Sequence, residues 1–219
     1  MCEISTSVLN VSEDNSVKTF YDLETAKTDY FHIDVMDGKF VNDNTVNKML
    51  EYAGNIKKIS NIPLDIHLMV EDTKKHIDEF IALEPLIITI HKEAFKNTDE
   101  LMKQIKYIKE QGVKVGVAIK PSTPIAEVYD ILGYIHLILV MTVEPGKGGQ
   151  ELIKDTVRKI DELNKYRQDK KLEFYIEADG GINIKNSQEI KRRGADILVA
   201  GTSIINSENY KETIKELKK

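Results

Sequence analysis

A closed parallel (β/α)8 barrel, a TIM barrel, is the fold class that this chain of 219 residues predicts. Three observations carry it. Eight short runs rich in Ile, Val, Leu and aromatic residues recur along the chain, as strands do. Segments with apolar residues three and four apart lie between them, as in helices laid on a sheet. The spacing of about 27 residues per strand–helix unit accommodates eight units within 1–219, on a chain somewhat shorter than the typical ~250. An open doubly wound sheet is the rival. Its dinucleotide-binding form would place G-x-G-x-x-G directly after an early strand, whereas the first strand here runs into LNVSED. With no linker, low-complexity segment or strong repeat, one barrel domain over 1–219 is expected.

The elements follow in order. ISTSVL at 4–9 is the first strand, with a weakly marked helix at about 16–26. YFHIDVM at 30–36 is the second, followed by a weakly marked helix at 45–57. LDIHLM at 64–69 precedes a helix at 72–83, and LIITIH at 86–91 precedes one at 98–111. KVGVAI at 114–119 and YIHLILVM at 134–141 are the fifth and sixth strands. In 151–167, Ile153, Val157, Ile160 and Leu163 make a one-sided apolar stripe. EFYIEA at 173–178 precedes a helix at 184–193, and DILVA at 196–200 precedes one at 208–218. A helix is expected after every strand, the fifth included, so that the sheet is parallel. Several runs are apolar nearly throughout, as strands covered on both faces are.

Composition narrows the function classes. The chain is 41% hydrophobic and 31% charged, as a globular protein is, with a net charge of −5. That balance gives no basic face for nucleic acid. No run approaches the roughly 20 apolar residues of a membrane span. The N-terminus MCEISTSVLN lacks the basic and apolar regions of a secretory signal. The single cysteine, Cys2, excludes an internal disulfide or a thiolate cluster and suits a reducing compartment, so a cytoplasmic location is expected. The oligomeric state stays open, a homo-oligomer included.

A barrel places its chemistry at the C-terminal ends of several strands. The second strand carries His32, Asp34 and Met36 on one face, and the third carries Asp65, His67 and Met69. The seventh leads into Asp179 and Gly180-Gly181. Two imidazoles and two carboxylates, His32, Asp34, His67 and Asp179, suit one divalent metal of intermediate hardness: Zn2+ or Fe2+ first, Mn2+ or Co2+ also. The plainer account, hydrogen-bonded core histidines, must bury these ionisable groups at a cost. MTVEPGKGGQ at 141–150 reads as a mobile lid, with Gly146, Gly148 and Gly149 exposing backbone amides. Gly180, Gly181, Gly201 and Thr202 stand after the seventh and eighth strands, where barrels hold phosphate. Lys147 in the lid is either an added charge or a solvated lysine. Met36, Met69 and Met141 fall at strand ends and would make a soft, dry lining, if they are not ordinary core filler. His91 and Glu93 are read as rim groups or as a second layer behind the ligands, with Lys147. Ser7 would donate a hydrogen bond to substrate, which His67 would also contact. His76 and His136 have no evident partners.

These segments resemble the ribulose-phosphate 3-epimerase family: STSVL at 5–9, HIDVMDGKFV at 32–41, LDIHLMV at 64–70, HKEA at 91–94, VMTVEPGKGGQ at 140–150, DGGI at 179–182 and AGTS at 200–203. The resemblance runs along essentially the whole chain in family order. It implies a barrel of the ribulose-phosphate binding type that inverts C3 of a phosphorylated ketose, D-ribulose 5-phosphate to D-xylulose 5-phosphate, through a cis-enediolate in the pentose phosphate pathway. It implies metal ligands at His32, Asp34, His67 and Asp179, the catalytic acids being Asp34 and Asp179. It implies a cap of Met36, Met69 and Met141, phosphate contacts at Gly149, Gly180, Gly181, Gly201 and Thr202, and a substrate contact at Ser7. Among the departures, Asn42-Asp43-Asn44 replaces the usual continuation after Phe40-Val41, Lys120 stands in place of Asn, and Lys147 in place of Phe. The altered rim leaves D-allulose 6-phosphate as an alternative substrate. A one-base sugar-phosphate isomerase or lyase and a non-catalytic sugar-phosphate-binding barrel are further alternatives.

Overall fold

The computed structural model describes residues 2–219; Met1, the first residue of the expected 1–219 domain, lies outside the described residues. The strands are β1 (Glu3–Ser7), β2 (Tyr30–Met36), β3 (Leu64–Met69), β4 (Ile87–His91), β5 (Lys114–Ile119), β6 (Leu137–Met141), β7 (Tyr175–Asp179) and β8 (Ile197–Ala200). Every neighbouring pair is parallel, and β8 returns to β1, closing the barrel in sequence order. Between strands lie α1 (Ser16–Thr25), α2 (Val46–Ile59), α3 (Thr73–Ile81), α4 (Thr98–Glu110), α5 (Val157–Lys170) and α6 (Ser187–Arg193). After β8 come a four-residue helix, α7 (Thr202–Ile205), and α8 (Tyr210–Lys218).

The expectation of a helix after every strand fails once. Between β5 and β6 the chain forms only two 3-10 turns, Ile125–Glu127 and Tyr129–Tyr134. Pro121 and Pro124 remove donors and bias the residues before them away from helix. The 3-10 turn also takes Tyr134, the first residue of the expected 134–141 strand, and β6 starts at Leu137. The 151–167 helix begins late. A 3-10 turn covers Lys154–Thr156, and Ile153 sits ahead of it, 38% exposed, outside the apolar stripe.

Two apolar regions result. The larger lies between the outer face of the sheet and the helices, with Phe20, Phe31, Tyr52 and Phe80 among its fully buried side chains. Phe20 meets Phe31 and Tyr52 edge-on, at 6.1 and 5.1 Å between ring centroids. The smaller, with Ile87, Ala118, Leu137, Leu139, Met141 and Ile197, fills one side of the barrel interior. Much of the rest of the interior, on β1, β2, β3 and β7, is polar, from Ser5 and His32 to Asp65 and Glu177.

Candidate active site

Register places the polar side chains in tiers. On paired β2 and β3, His32 stands opposite Asp65, Asp34 opposite His67 and Met36 opposite Met69. On β6 and β7, Met141 stands opposite Asp179 and Leu139 opposite Glu177. Strand alternation aims each set into the barrel.

The upper tier converges. One donor atom from each of His32, Asp34, His67 and Asp179 lies within 4.8 Å of all the others. His32 Nε2 is 3.3 Å from Asp34 Oδ1 and 4.0 Å from Asp179 Oδ2. His67 Nδ1 is 3.2 Å from Asp34 Oδ1 and 3.7 Å from Asp179 Oδ2. Ser7 Oγ donates to Asp34 Oδ2 at 2.7 Å, so the serine expected to contact substrate holds a carboxylate. Nε2 of His32 is buried with no hydrogen-bond partner among the described residues. An orphaned imidazole nitrogen facing two carboxylates suits a cation, and this donor set fits a divalent metal of the Zn2+ or Fe2+ kind.

Below it lies a second tier, Asp65 and Glu177, of which Asp65 is expected on the inward face but neither residue is expected as a ligand. Asp65 Oδ2 faces His32 Nδ1 at 2.7 Å and accepts from Ser5 Oγ at 2.7 Å. A carboxylate only accepts, so His32 donates from Nδ1, and its Nε2 faces the upper cluster. Glu177, fully buried, has both oxygens unpartnered. The signal was available: Asp65 and Glu177 stand two residues before His67 and Asp179, on the same strand faces.

The electrostatics separate the two upper carboxylates. Burial pushes Asp34 up, but the charge and hydrogen bonds of His32, together with His67, hold it well below the usual carboxylate range. Burial and the neighbouring Asp34 charge raise Asp179 to about 6. Burial opposes the charged form of His32, yet Asp65 and Asp34 raise it well above an ordinary histidine. Burial and the Asp65 charge raise Glu177 strongly.

A cavity of about 280 Å³ opens above the cluster. Asp34, Asp179 and Ser7 reach its lining, with Met36, Met69 and Met141, each no more than 2% exposed. Gly146, Gly148, Gly149, Gly180, Gly181, Gly201 and Thr202 also line it, as do Asn10 and Gln150, two residues the sequence reading did not select. Asn10 donates its amide to Thr202 Oγ1 at 3.0 Å, and Gln150 ties the lid by donating to the Glu144 and Lys147 carbonyls. His67, expected also to touch substrate, is fully buried behind the lining residues.

Other expectations shift. His91 is not a rim group: it is 1% exposed, and its Nε2 lies 2.9 Å from His67 Nε2, while its Nδ1 lies 3.0 Å from Glu93. Burial lowers His91 to about 4. Burial pushes Glu93 up, but its bonds to His91 and Thr123 bring it down to about 2. Lys147 is an exposed lid residue on the cavity, not part of a layer behind the ligands. His76 and His136 do have partners: Glu79 at 2.7 Å, and the Val115 N–H at 3.2 Å. The altered segment Asn42-Asp43-Asn44 closes a loop, in which Gly38 N–H bonds Asp43 O and Asp37 bridges Asn44.

Comparison with known proteins agrees with the fold and adds the family. The barrel resembles solved structures of 3-hexulose-6-phosphate synthase from Salmonella typhimurium (TM-score 0.72, 14% identity, 98% of this chain and 96% of that one). It also resembles KGPDC from Streptococcus mutans (TM-score 0.73, 9% identity, 100% of this chain and 96% of that one). At such identities the likeness shows the fold alone. Closer in sequence is the ribulose-phosphate 3-epimerase of Bacillus subtilis, 34% identical over 219 residues, covering 100% of this chain and 99% of that protein. That of Methanocaldococcus jannaschii is 34% identical over 218 residues, covering 100% and 90%. Residues 3–205 match the family described as ribulose-phosphate 3 epimerase. The chain therefore belongs to the ribulose-phosphate 3-epimerase family, enzymes of the epimerase class.

Proposed function

We propose that this chain is a metal-dependent epimerase, a single catalytic barrel over 1–219 that interconverts D-ribulose 5-phosphate and D-xylulose 5-phosphate by inversion at C3. The observation that carries the reading is the convergence of two carboxylates and two imidazoles beneath a cavity lined by glycine loops. The relatives' names supply the substrate class. His32, Asp34, His67 and Asp179 would hold one divalent cation, Zn2+ or Fe2+ by the chemistry of the donors. When bound, the cation supplies Lewis-acid stabilisation of negative charge developing on the substrate's carbonyl oxygen.

The carboxylates do the proton work. Inversion needs one group on each face of C3, because one rigid base returns the proton to the side it came from. Asp34 and Asp179 arrive on β2 and β7, which β1 and β8 separate in the closed sheet. One removes the C3 proton to give the cis-enediolate, and the other delivers a proton to the opposite face. The roles exchange in the reverse direction. Ser7 orients Asp34 through its 2.7 Å hydrogen bond. Met36, Met69 and Met141 keep water from the enediolate. Amides at Gly149, Gly180, Gly181, Gly201 and Thr202 grip the phosphate. The single cysteine suits a reducing compartment such as the cytoplasm.

Incubation with ribulose 5-phosphate in D2O, followed by NMR, tests the reading. Deuterium should enter at C3 as xylulose 5-phosphate appears. Asp34→Asn and Asp179→Asn should each lower turnover by about 10²–10⁴-fold. Near wild-type turnover in either variant would exclude the two-acid mechanism. Faster conversion of allulose 6-phosphate would move the assignment to hexulose phosphates, and binding without C3 exchange would make the barrel a sensor.

A further inference from the structure

His67 is engaged from both sides: its Nδ1 lies within hydrogen-bond reach of Asp34 Oδ1, at 3.2 Å. Its Nε2 points away from Asp34 and Asp179, toward Nε2 of His91 at 2.9 Å. Two facing imidazole nitrogens bond only if one carries a proton and the other does not. His91 Nδ1 faces Glu93 Oε2 at 3.0 Å. Glu93 Oε1 accepts from the Lys120 N–H at 2.8 Å and from the Thr123 hydroxyl. The carboxylate thus accepts from His91 Nδ1–H and leaves His91 Nε2 as an acceptor. His67 must then donate from Nε2, which leaves Nδ1, 3.2 and 3.7 Å from Asp34 and Asp179, as the nitrogen that a cation would take in place of the bond to Asp34.

Glu93 is itself anchored. The Lys159 ammonium donates to the carbonyls of Lys120, Pro121 and Thr123 at 3.0, 2.7 and 2.6 Å, which fixes the loop after β5 that holds the carboxylate. Phe40 covers His91 at 4.9 Å between centroids, and Lys120 Nζ lies 4.1 Å over the Phe40 ring. What Glu93 requires of position 120 is its backbone N–H. The lysine side chain that departs from the family pattern packs on Phe40 instead.

On the reading that His67 is a metal ligand, we infer that Glu93 is a positioning residue for the metal centre: acting through His91, it holds His67 in the tautomer that presents Nδ1 to the cation. The arrangement complements the one at His32, where Asp65 accepts from Nδ1–H directly and frees Nε2. Opposite ring nitrogens are presented to the same point, and a different carboxylate sets each one.

The test uses 15N-labelled full-length protein. In the metal-free wild type, long-range 1H–15N spectra should show a proton on His67 Nε2. Glu93→Gln forces an amide NH2 toward either His91 Nδ1–H or the Lys120 N–H, so the Nδ1–H tautomer of His67 should become populated. Affinity for Co2+, read by chelator competition, should fall about 10–100-fold, as for other groups that orient metal-bound histidines. Thr123→Val removes one bond to Glu93 and should shift both readouts the same way by less, which covers the case in which Glu93→Gln fails to fold. An unchanged His67 tautomer in both folded variants, or unchanged Co2+ affinity, overturns the relay. Wild-type protein that takes up no Co2+ overturns the metal reading itself, a result distinguishable because the tautomer measurement needs no metal.

Discussion

A methyl group at Gly181 would lie 2.5 Å from the backbone nitrogen of Leu152, and the residue's φ of +67° already excludes most side chains. The position ties the turn after β7 to the end of the lid, at the edge of the cavity. Gly181→Ala should therefore cost about 1–3 kcal/mol in stability, read by urea unfolding. Because the strain falls on the proposed phosphate loops and not on Asp34, KM for ribulose 5-phosphate should rise more than kcat falls; the reverse split would separate Gly181 from phosphate binding. Cys2 gives a second prediction at this scale. Burial pushes its thiol up to about 12, against ~8.5 for a free cysteine. The thiolate, the reactive form, is then scarce at pH 8 and grows only as pH rises toward that value. A disulfide reagent at pH 8 should modify the folded chain about 10²–10³-fold more slowly than the urea-unfolded chain. Equal rates would mean that the first strand leaves Cys2 open to solvent.

At the scale of elements, the connection from β5 to β6 is the irregular piece of the barrel, and Lys159 on α5 does much of what a helix would otherwise do there. Its three carbonyl contacts satisfy a turn that the two prolines leave short of donors. Lys159→Met should lower stability by about 2 kcal/mol, in the range for hydrogen bonds to a charged group. It should also raise hydrogen exchange at the Lys120 amide, which bonds Glu93. Unchanged exchange at Lys120 would show that the loop holds itself. The same connection marks where sequence reading stops. Alternation along β2 and β3 made His32, Asp34, His67 and the methionines legible, because a period of two assigns a face without knowledge of partners. Asp65 and Glu177 share that alternation but lie one tier lower, and only the register across β2, β3 and β7 tells a ligand from the group behind it. The sequence leaves His91 open between the rim and a layer behind the ligands, because it ends its strand. Its burial follows from Phe40, brought over it by the loop after β2, a contact between distant segments of the chain that no local pattern encodes.

For the whole molecule, the site is a clamp across the sheet. Its four proposed ligands lie on β2, β3 and β7, so they meet only when the barrel is closed, and the unfolded chain offers a cation no comparable set. Binding free energy should then appear as folding free energy. Free Co2+ at a hundredfold excess over its Kd adds about 2.7 kcal/mol. For a chain of this size each kcal/mol raises Tm by roughly 2–4 °C, so metal-stripped protein should gain about 5–10 °C on addition of Co2+ and lose it again with chelator. Asp179→Asn removes one ligand and some like-charge repulsion together. Its apo form should melt no lower than the apo wild type, while its gain with Co2+ should be much smaller. That pairing separates a metal centre from a structural ion-pair cluster. If Asp179 only completed a network with His32 and His67, the variant would melt lower without metal, and Co2+ would raise the wild type no more than Asp179→Asn.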